Sequence, residues 1–371
     1  MSSTDLALPP APPGVEPRRW PARRRRRFVA LGVSMGLLVS TLVGAAVLPV
    51  PYVALRPGTA RPVTEQVLVE GAPSYPPEQS IAYTTVSVGG TTLLEALVGW
   101  LDDDVDVFPE RVVRGDRDEE ENRRYNAQLM DTSKLVAVAV ALRHLGYDVS
   151  VHTTGTVVRQ IAEDSPAAAV LQLDDVIVAV DGSAVDEPDE VGPLLQPGGP
   201  GATHTLTVER PPGSGTTLDV TLATVPAPDD PQRAIIGIAP EDRIVGADFP
   251  IDVLIDSGTV GGPSAGLAFT LAVLDVLTPG ELTGGHRVAV TGTIRLDGVV
   301  GPVGGAAQKA ISVRDAGYEV FLVPPAERAE VEAAVGDDLQ VIEVGTLAQA
   351  LEALDALGGN AGSLAGAAAG P

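Results

Sequence analysis

The sequence contains no cysteine, which excludes disulfide bonds, thiol catalysis and cysteine-bound zinc. It has four scattered histidines and no H-E-x-x-H motif, so a catalytic zinc or other metal site is not expected. There is no G-x-x-x-x-G-K-[ST] motif either, so we expect no ATP and no other cofactor. Aromatic residues make up only 4% of the chain. Alanine, valine, leucine and glycine must therefore build the interior, as in closely packed α/β layers.

Basic residues are few and unevenly distributed. The chain has 25 lysines and arginines against 49 aspartates and glutamates, which gives a net charge of −24. Seven of the arginines lie in residues 1–27, so the remainder carries a charge of about −29. A body this acidic repels phosphate backbones, and nucleic acid is not an expected partner.

An apolar segment follows the basic one. Phe28–Leu48 is 21 residues long and has no charge, which is the length of a helix that spans a bilayer. The arginines predict that residues 1–27 form a disordered cytoplasmic segment and that the rest of the chain lies outside, as in a single-pass protein of the cell membrane. A cleaved signal peptide is the alternative, with Gly44-Ala45-Ala46 as a weak cleavage site.

Changes in composition divide the rest of the chain. Residues 49–148 contain helix and strand patterns, and form either a separate α/β segment or part of a later domain. Residues 149–225 are short β runs joined by glycine, proline and aspartate. Residues 226–234 indicate a linker, and residues 235–354 alternate between helix and strand patterns. Residues 355–371 are a low-complexity tail that we expect to be disordered.

Two lysines stand out among the many arginines, Lys134 and Lys309. A desolvated lysine can lose its proton and act as a base, whereas an arginine keeps its charge. If residues 306–316 are helical, Lys309 shares a face with Ala306 and Ala310 and lies among apolar side chains. The alternative is that its long side chain reaches water.

Ser264 lies in a glycine-rich turn, G-G-P-S-A-G, before an apolar helix. The N-terminus of such a helix presents free backbone N–H groups, and those of Gly262, Ser264 and Ala265 are candidates for binding an oxyanion. A helix cap is the alternative role for this serine. The same residues match the G-x-S-x-G pattern of α/β-hydrolases, but that fold needs a later acid and then a histidine, and only His286 follows.

The stretches GGPSAGLAFTLAVL and VAVTGTIRLDGVVGPVGGAAQKAISVRDAGYEVFLVP resemble the proteolytic domain of Lon-type serine-lysine endopeptidases over about 110 residues. This resemblance implies that Ser264 is the nucleophile, that Lys309 is the general base and that Thr291 orients the lysine amine. A homo-oligomer is implied by analogy with the family. Lon proteins commonly have an acidic residue where this chain has Gly261, and they carry an ATP-driven module of which this sequence shows no motif.

The stretches DSPAAAV, LDDVIVAVDG and HTLTVERP are similar to the PDZ domains of bacterial proteases. This resemblance implies that a peptide binds by strand addition beside the four residues Gly155, Thr156, Val157 and Val158. Asp174 stands where these domains usually have a glycine.

The combination resembles the membrane-anchored, PDZ-containing Lon-type proteases of bacteria. It implies an α/β (α+β) proteolytic domain in residues 235–354 and a small β-rich PDZ-like domain in residues 149–225, behind one transmembrane helix. We expect an ATP-independent serine endopeptidase whose substrates are unstructured protein or peptide segments outside the cytoplasmic membrane. A noncatalytic membrane scaffold that binds peptides is the alternative.

Overall fold

The computed structural model describes residues 22–115, 117–210 and 212–362. The described residues divide between two compact units, one within residues 1–55 and 88–115 and the other within residues 56–87 and 116–371. The α-helices of the described residues are α1 (Ala22–Val47), α2 (Leu93–Gly99), α3 (Glu110–Arg114), α4 (Glu119–His144), α5 (Pro188–Leu194), α6 (Gly266–Leu277), α7 (Ala306–Asp315), α8 (Arg328–Val335) and α9 (Leu347–Ala356). The strands are β1 (Pro49–Pro62), β2 (Val67–Glu70), β3 (Ala82–Thr92), β4 (Asp106–Pro109), β5 (Ser150–Ile161), β6 (Val176–Val180), β7 (Ser183–Ala184), β8 (Thr203–Glu209), β9 (Thr217–Ala223), β10 (Val225–Pro226), β11 (Ala234–Ile235), β12 (Ile238–Asp248), β13 (Asp252–Ile255), β14 (Val288–Val290), β15 (Thr293–Ile294), β16 (Val300–Gly301), β17 (Val320–Val323) and β18 (Gln340–Glu343).

The first unit contains the apolar helix α1. Its segment Ala30–Val47 has a mean hydropathy of 2.0 over 18 residues, so the helix is long and apolar enough to cross a membrane. A signal sequence near an N-terminus has the same properties, and the retained anchor stays a prediction. The helix begins at Ala22, before the predicted start at Phe28, so residues 22–27 are helical rather than disordered. The earlier part of the predicted disordered segment lies outside the described residues.

The rest of the first unit is a small α/β element. Helix α2 begins at a capping box, in which Thr92 and Glu95 each accept a hydrogen bond from the other's backbone N–H group. The first half of β1 pairs in antiparallel register with β4. The Tyr52 ring packs edge-on against Trp100, with ring centroids 5.7 Å apart.

A parallel sheet lies at the centre of the second unit. Its strands follow the order β3–β14–β17–β18, and all three neighbouring pairs are parallel. Alternate residues of β14 face opposite sides. Val288 and Val290 pack in one core with α4 and α6, and Ala289 packs in another with α7 and α8. Tyr83 of β3 packs on Phe269 of α6. Segments that come before and after the β-rich region in the sequence therefore build one domain core.

Helix α4 begins inside the charged stretch R-G-D-R-D-E-E-E-N-R-R, residues 114–124, whose interleaved charges predict a solvated loop or helix end. Asp118 caps it, in a capping box with Glu121, and the first turn carries three glutamates. Negative side chains are favourable there because the N-terminus of a helix carries partial positive charge. The second half of the helix is buried and contacts α6.

The β-rich region forms a second sheet with the order β12–β5–β6–β8–β9, and β7 pairs with β6. Val157 of β5 lies opposite Glu241 of β12 on one side and Val176 of β6 on the other. Strand β5 therefore has no free edge at Gly155–Val158, which corrects the expectation that a peptide adds beside these four residues. The outer edge belongs to β12, from a segment that the sequence assigned to the proteolytic domain.

Asp174 joins this sheet to helix α4. Its φ of +69° explains why a glycine is usual at this position. The carboxylate accepts hydrogen bonds from Arg159 Nη1 at 2.7 Å, from Tyr125 Oη at 2.8 Å and from Arg117 Nη1 at 3.4 Å. Burial raises the pKa of Tyr125 to about 12, and the nearby Asp174 charge adds to the effect, so the phenol stays a proton donor. Arg159 also donates to Glu241 of β12, at 3.2 Å.

The ordered part of the chain extends beyond residue 354, after which the sequence predicts a disordered tail. Helix α9 ends at Ala356, Asn360 Nδ2 donates to the carbonyl oxygen of Pro279 at 2.6 Å, and Ala361 is buried. Residues 355–362 therefore pack on the domain, which corrects the predicted start of a disordered tail. The rest of that tail lies outside the described residues.

Candidate active site

The glycine-rich turn places Ser264 immediately before helix α6. Gly262 has a φ of +90°, a conformation that other residues rarely adopt. Ala265 is the N-cap residue of α6, so Ser264 comes one residue before the cap. The carbonyl oxygen of Ser264 accepts hydrogen bonds from the backbone N–H of Gly292 at 2.9 Å and from Thr291 Oγ1 at 3.2 Å. The backbone of Ser264 is thereby fixed from the strand side, while its side chain stays partly exposed.

Helix α4 supports the other side of this turn. The backbone N–H of Gly262 donates to the carbonyl oxygen of Asn126 at 2.8 Å, and Ser133 Oγ donates to the carbonyl oxygen of Pro263 at 3.1 Å. A Cβ atom at Gly261 would lie 2.9 Å from Asn126 Cβ, so only glycine fits there. The acidic side chain that Lon proteins commonly carry at this position therefore has no room.

Lys309 lies on α7 and is 2% exposed. The predicted apolar face is present, since Ala306 and Ala310 are fully buried with it. The opposite side of the helix is also largely covered, because Ser312 is buried and its Oγ lies 2.9 Å from Thr84 Oγ1. The lysine side chain therefore does not reach water as its alternative role requires.

The amine of Lys309 is held by Thr291. Nζ donates to Thr291 Oγ1 at 3.2 Å, and this threonine is completely buried. Burial in apolar surroundings lowers the pKa of Lys309 to about 7, while the Glu327 carboxylate acts in the opposite direction. Glu327 is itself buried and accepts a hydrogen bond from the backbone N–H of Val303 at 3.0 Å.

Ser264 and Lys309 line one cavity of about 390 Å³, which is also bordered by Thr84, Thr85 and Arg61. Within the described residues, no hydrogen bond joins the serine hydroxyl to the amine. The structure thus brings the predicted nucleophile and base to the same cavity, with the amine bonded to Thr291. Geometry before substrate binding is often looser than in the reacting complex.

The three predicted oxyanion donors differ. The N–H of Gly262 is occupied by Asn126, which corrects its assignment. Among the described residues, the backbone N–H groups of Ser264 and Ala265 have no hydrogen-bond partner, so both can receive an oxygen that develops negative charge. His286, which the α/β-hydrolase alternative requires, bonds to Glu319 through Nδ1 at 2.9 Å and does not line the cavity.

Asn126, Ser133 and Glu327 are the residues of this site that the sequence did not indicate. Asn126 and Ser133 lie on α4, more than 100 positions before Ser264 in the chain. The interleaved charges around residues 114–124 predict a surface segment, and nothing local indicates contact with the serine turn.

Comparison with protein families agrees with this architecture. Residues 244–356 match the model of the Lon protease (S16) C-terminal proteolytic domain, and residues 144–224 match that of the PDZ domain. The chain carries a Lon-type proteolytic domain and a PDZ domain. The Lon-type match contains Ser264, Thr291 and Lys309. It begins within β12, the strand that also forms the outer edge of the PDZ sheet.

Lon proteases of several bacteria are similar to part of this chain. A Lon protease of Campylobacter concisus is 30% identical over 141 residues, which cover 36% of this chain and 17% of that protein. A Lon protease of Phenylobacterium zucineum is 34% identical over 110 residues, which cover 30% of this chain and 14% of that protein. The chain therefore spans less than a fifth of the length of these two relatives. Among solved structures, the PDZ domain of an SdrC-like protein from Listeria monocytogenes is 22% identical over 24% of this chain and 87% of that one, with a TM-score of 0.21.

Proposed function

We propose that this protein is a serine endopeptidase in which Ser264 attacks the peptide bond and Lys309 is the general base. One observation carries the proposal: a lysine amine that is almost fully buried, with a pKa of about 7, lines the same cavity as a serine at the start of a helix. About half of these amines are uncharged at pH 7, against roughly one in 3,000 at the usual lysine pKa.

The proposed reaction uses Ser264, Lys309, Thr291 and the backbone of the serine turn. Uncharged Lys309 takes the proton from Ser264 Oγ as the oxygen attacks the peptide carbonyl carbon. The N–H groups of Ser264 and Ala265 bind the oxyanion that forms. The lysine ammonium then protonates the leaving amine, and a water molecule that Lys309 deprotonates releases the acyl group. Thr291 fixes the amine by accepting one of its hydrogens, so that the nitrogen lone pair is available to the serine.

The proposed substrates are unstructured segments, and the reaction needs no ATP. No nucleotide-binding motif occurs in the sequence, and a peptidase without a motor must wait for its substrate to unfold locally. With α1 as a retained anchor, cleavage takes place on the outer side of the cytoplasmic membrane.

We assign substrate selection to a groove between α5 and β12. This groove has a volume of about 810 Å³, and Val191, Leu195 and Ile236 line it. Among the described residues, the backbone N–H groups of Ile236 and Gly237 have no partner, and such adjacent amides bind carboxylates. A substrate C-terminus adds to the outer edge of β12 as an extra strand.

The catalytic proposal is tested with the full chain in detergent micelles and a disordered substrate protein, with and without ATP. Ser264→Ala and Lys309→Arg are expected to lower kcat/KM at least roughly 100-fold, because arginine keeps its charge and cannot act as a base. Lys134→Arg is the matched control: the same substitution on α4, where the lysine pairs with Asp131 at 3.6 Å, should leave the rate unchanged.

Two results would reject the catalytic proposal. The first is a Lys309→Arg protein that retains the wild-type rate. The second is a wild-type protein that binds peptides without cleaving them, which would support the noncatalytic scaffold. The groove has a separate test, in which Val191→Glu raises KM for a disordered protein and leaves cleavage of a short peptide unchanged. If KM for the long substrate does not move, selection does not occur in this groove.

A further inference from the structure

The cavity around Ser264 has an unbalanced charge. Among the described residues that line it, Arg61 and Lys309 are basic and none is acidic. Lys309 is only partly charged near neutral pH, so Arg61 supplies the permanent positive charge. This is the reverse of the protein as a whole, which has a net charge of −24.

Arg61 is positioned but has no acidic partner. Its Nε donates to Thr59 Oγ1 at 3.0 Å, and the backbone N–H of Thr59 donates to Thr85 Oγ1 at 3.1 Å. Among the described residues, no carboxylate forms a salt bridge with Arg61. Two arginines of the PDZ sheet behave differently, because Arg159 of β5 and Arg243 of β12 each form a salt bridge with a carboxylate.

Within the described part of the chain, Nε of Arg61 is hydrogen-bonded and neither terminal nitrogen has a partner, so both terminal nitrogens can bind a ligand. A guanidinium binds a carboxylate with two parallel hydrogen bonds, and this geometry is more selective than that of a lysine ammonium. A substrate chain must enter the cavity to reach Ser264, so its side chains pass the guanidinium. We propose that Arg61 makes the peptidase prefer substrates with Asp or Glu within about four residues of the cleaved bond, roughly 14 Å of extended chain. The preference rests on the proposed peptidase function.

The acidic surface of the protein does not cancel this preference. Its repulsion acts over long distances, and salt at physiological strength screens exposed charges beyond about 8 Å. A carboxylate that contacts Arg61 directly is much closer than that. An exposed ion pair changes affinity between about 1.4-fold and about fivefold, and comparing acidic with basic substrates on the wild type and on Arg61→Glu involves four such effects. We therefore expect Arg61→Glu to change the ratio of kcat/KM for acidic and basic substrates at least about fourfold.

The test uses the full chain in detergent micelles. Mass spectrometry of a cleaved disordered protein gives one good cleavage sequence, and peptides with Asp, Asn or Lys at each neighbouring position are made from it. The wild type should cleave the Asp peptide with the highest kcat/KM and the Lys peptide with the lowest, at the position that Arg61 contacts. Arg61→Glu should reverse this order. Each ratio compares two substrates on one preparation of the protein. Inactive, misfolded protein lowers both values of kcat/KM by the same factor and so does not change the ratio.

Arg56→Glu is the matched control, because Arg56 lies on the same strand, undergoes the same change in charge and does not line the cavity. It should keep the wild-type order. An Arg61→Glu protein with the wild-type ratio would overturn the proposal, and so would an equal shift in both variants, since the cause would then be overall charge. A wild type that cleaves all three peptides equally overturns only the role of Arg61. A wild type that cleaves none of them, nor the disordered protein, overturns the peptidase function as well.

Discussion

The proposal that Lys309 is the general base predicts a pH dependence of peptide cleavage, because this lysine is buried. Its pKa falls from 10.5 to about 7. Burial therefore destabilises the charged ammonium relative to the uncharged amine by about 5 kcal/mol. Below pH 7 the uncharged fraction of the amine falls tenfold for each pH unit, and above pH 7 it approaches one. We therefore expect kcat/KM to rise tenfold per unit up to a midpoint near pH 7 and then to level off.

Glu327 provides a way to move this midpoint. Its negative charge favours the ammonium form of Lys309, so Glu327→Gln should lower the lysine pKa further and move the midpoint to a lower pH. The glutamine keeps an oxygen that can accept the hydrogen bond from Val303. Glu330→Gln is the control. Glu330 on α8 accepts a hydrogen bond from the backbone N–H of Ala307 on α7, and it is not among the charges that shift the pKa of Lys309.

The assay measures initial rates between pH 5 and 9, with a chromogenic peptide at a concentration far below KM, so that the rate gives kcat/KM and the pKa of the free enzyme. A midpoint above pH 9 would refute the reasoning, because the base would then be an ordinary solvated lysine. An identical midpoint in the wild type and in Glu327→Gln would show that the carboxylate does not act on the amine.

Three further predictions concern other positions. Gly262→Ala should lower kcat with little change in KM, because alanine at a φ of +90° strains the serine turn; steady-state kinetics check this. Asp275 has a pKa raised by burial from 3.8 to about 7, so the native state holds its proton more tightly and loses about 4 kcal/mol of stability as the pH rises from 4 to 7. Asp275→Asn should remove this loss, measured by thermal unfolding at pH 5 and 8. Arg210→Met leaves the buried Asp175 without its ion pair and should cost about 3–5 kcal/mol in urea unfolding.

The placement of Ser264 before α6 and of Lys309 on the buried face of α7 could be predicted because the features that indicate it are local. A glycine-rich turn before an apolar stretch gives the start of α6, and a lysine with alanines one turn away gives the buried face of α7. The supporting residues could not be predicted in this way. Asn126 and Ser133 reach the serine turn only because α4 packs against α6, and the sequence of α4 does not identify its partner helix.

The peptide-binding edge shows the same limit. The β-branched residues around Gly155–Val158 predict a strand, and they form the middle of β5. Alternation along a strand indicates which face is buried, but it does not tell which other strand covers each edge. Here β12 arrives from beyond the region that resembles a PDZ domain and takes the edge that a peptide was expected to use.

Neighbouring residues of α4 serve two domains at once. Tyr125 binds the Asp174 carboxylate of the PDZ domain, and the carbonyl of Asn126, the next residue, holds the amide of Gly262. Excising the PDZ domain would therefore release the first turns of this helix along with the peptide groove. A shortened protein made for biotechnology would need another hydrogen-bond partner for Tyr125 to keep α4, and with it the turn that holds Ser264, in position.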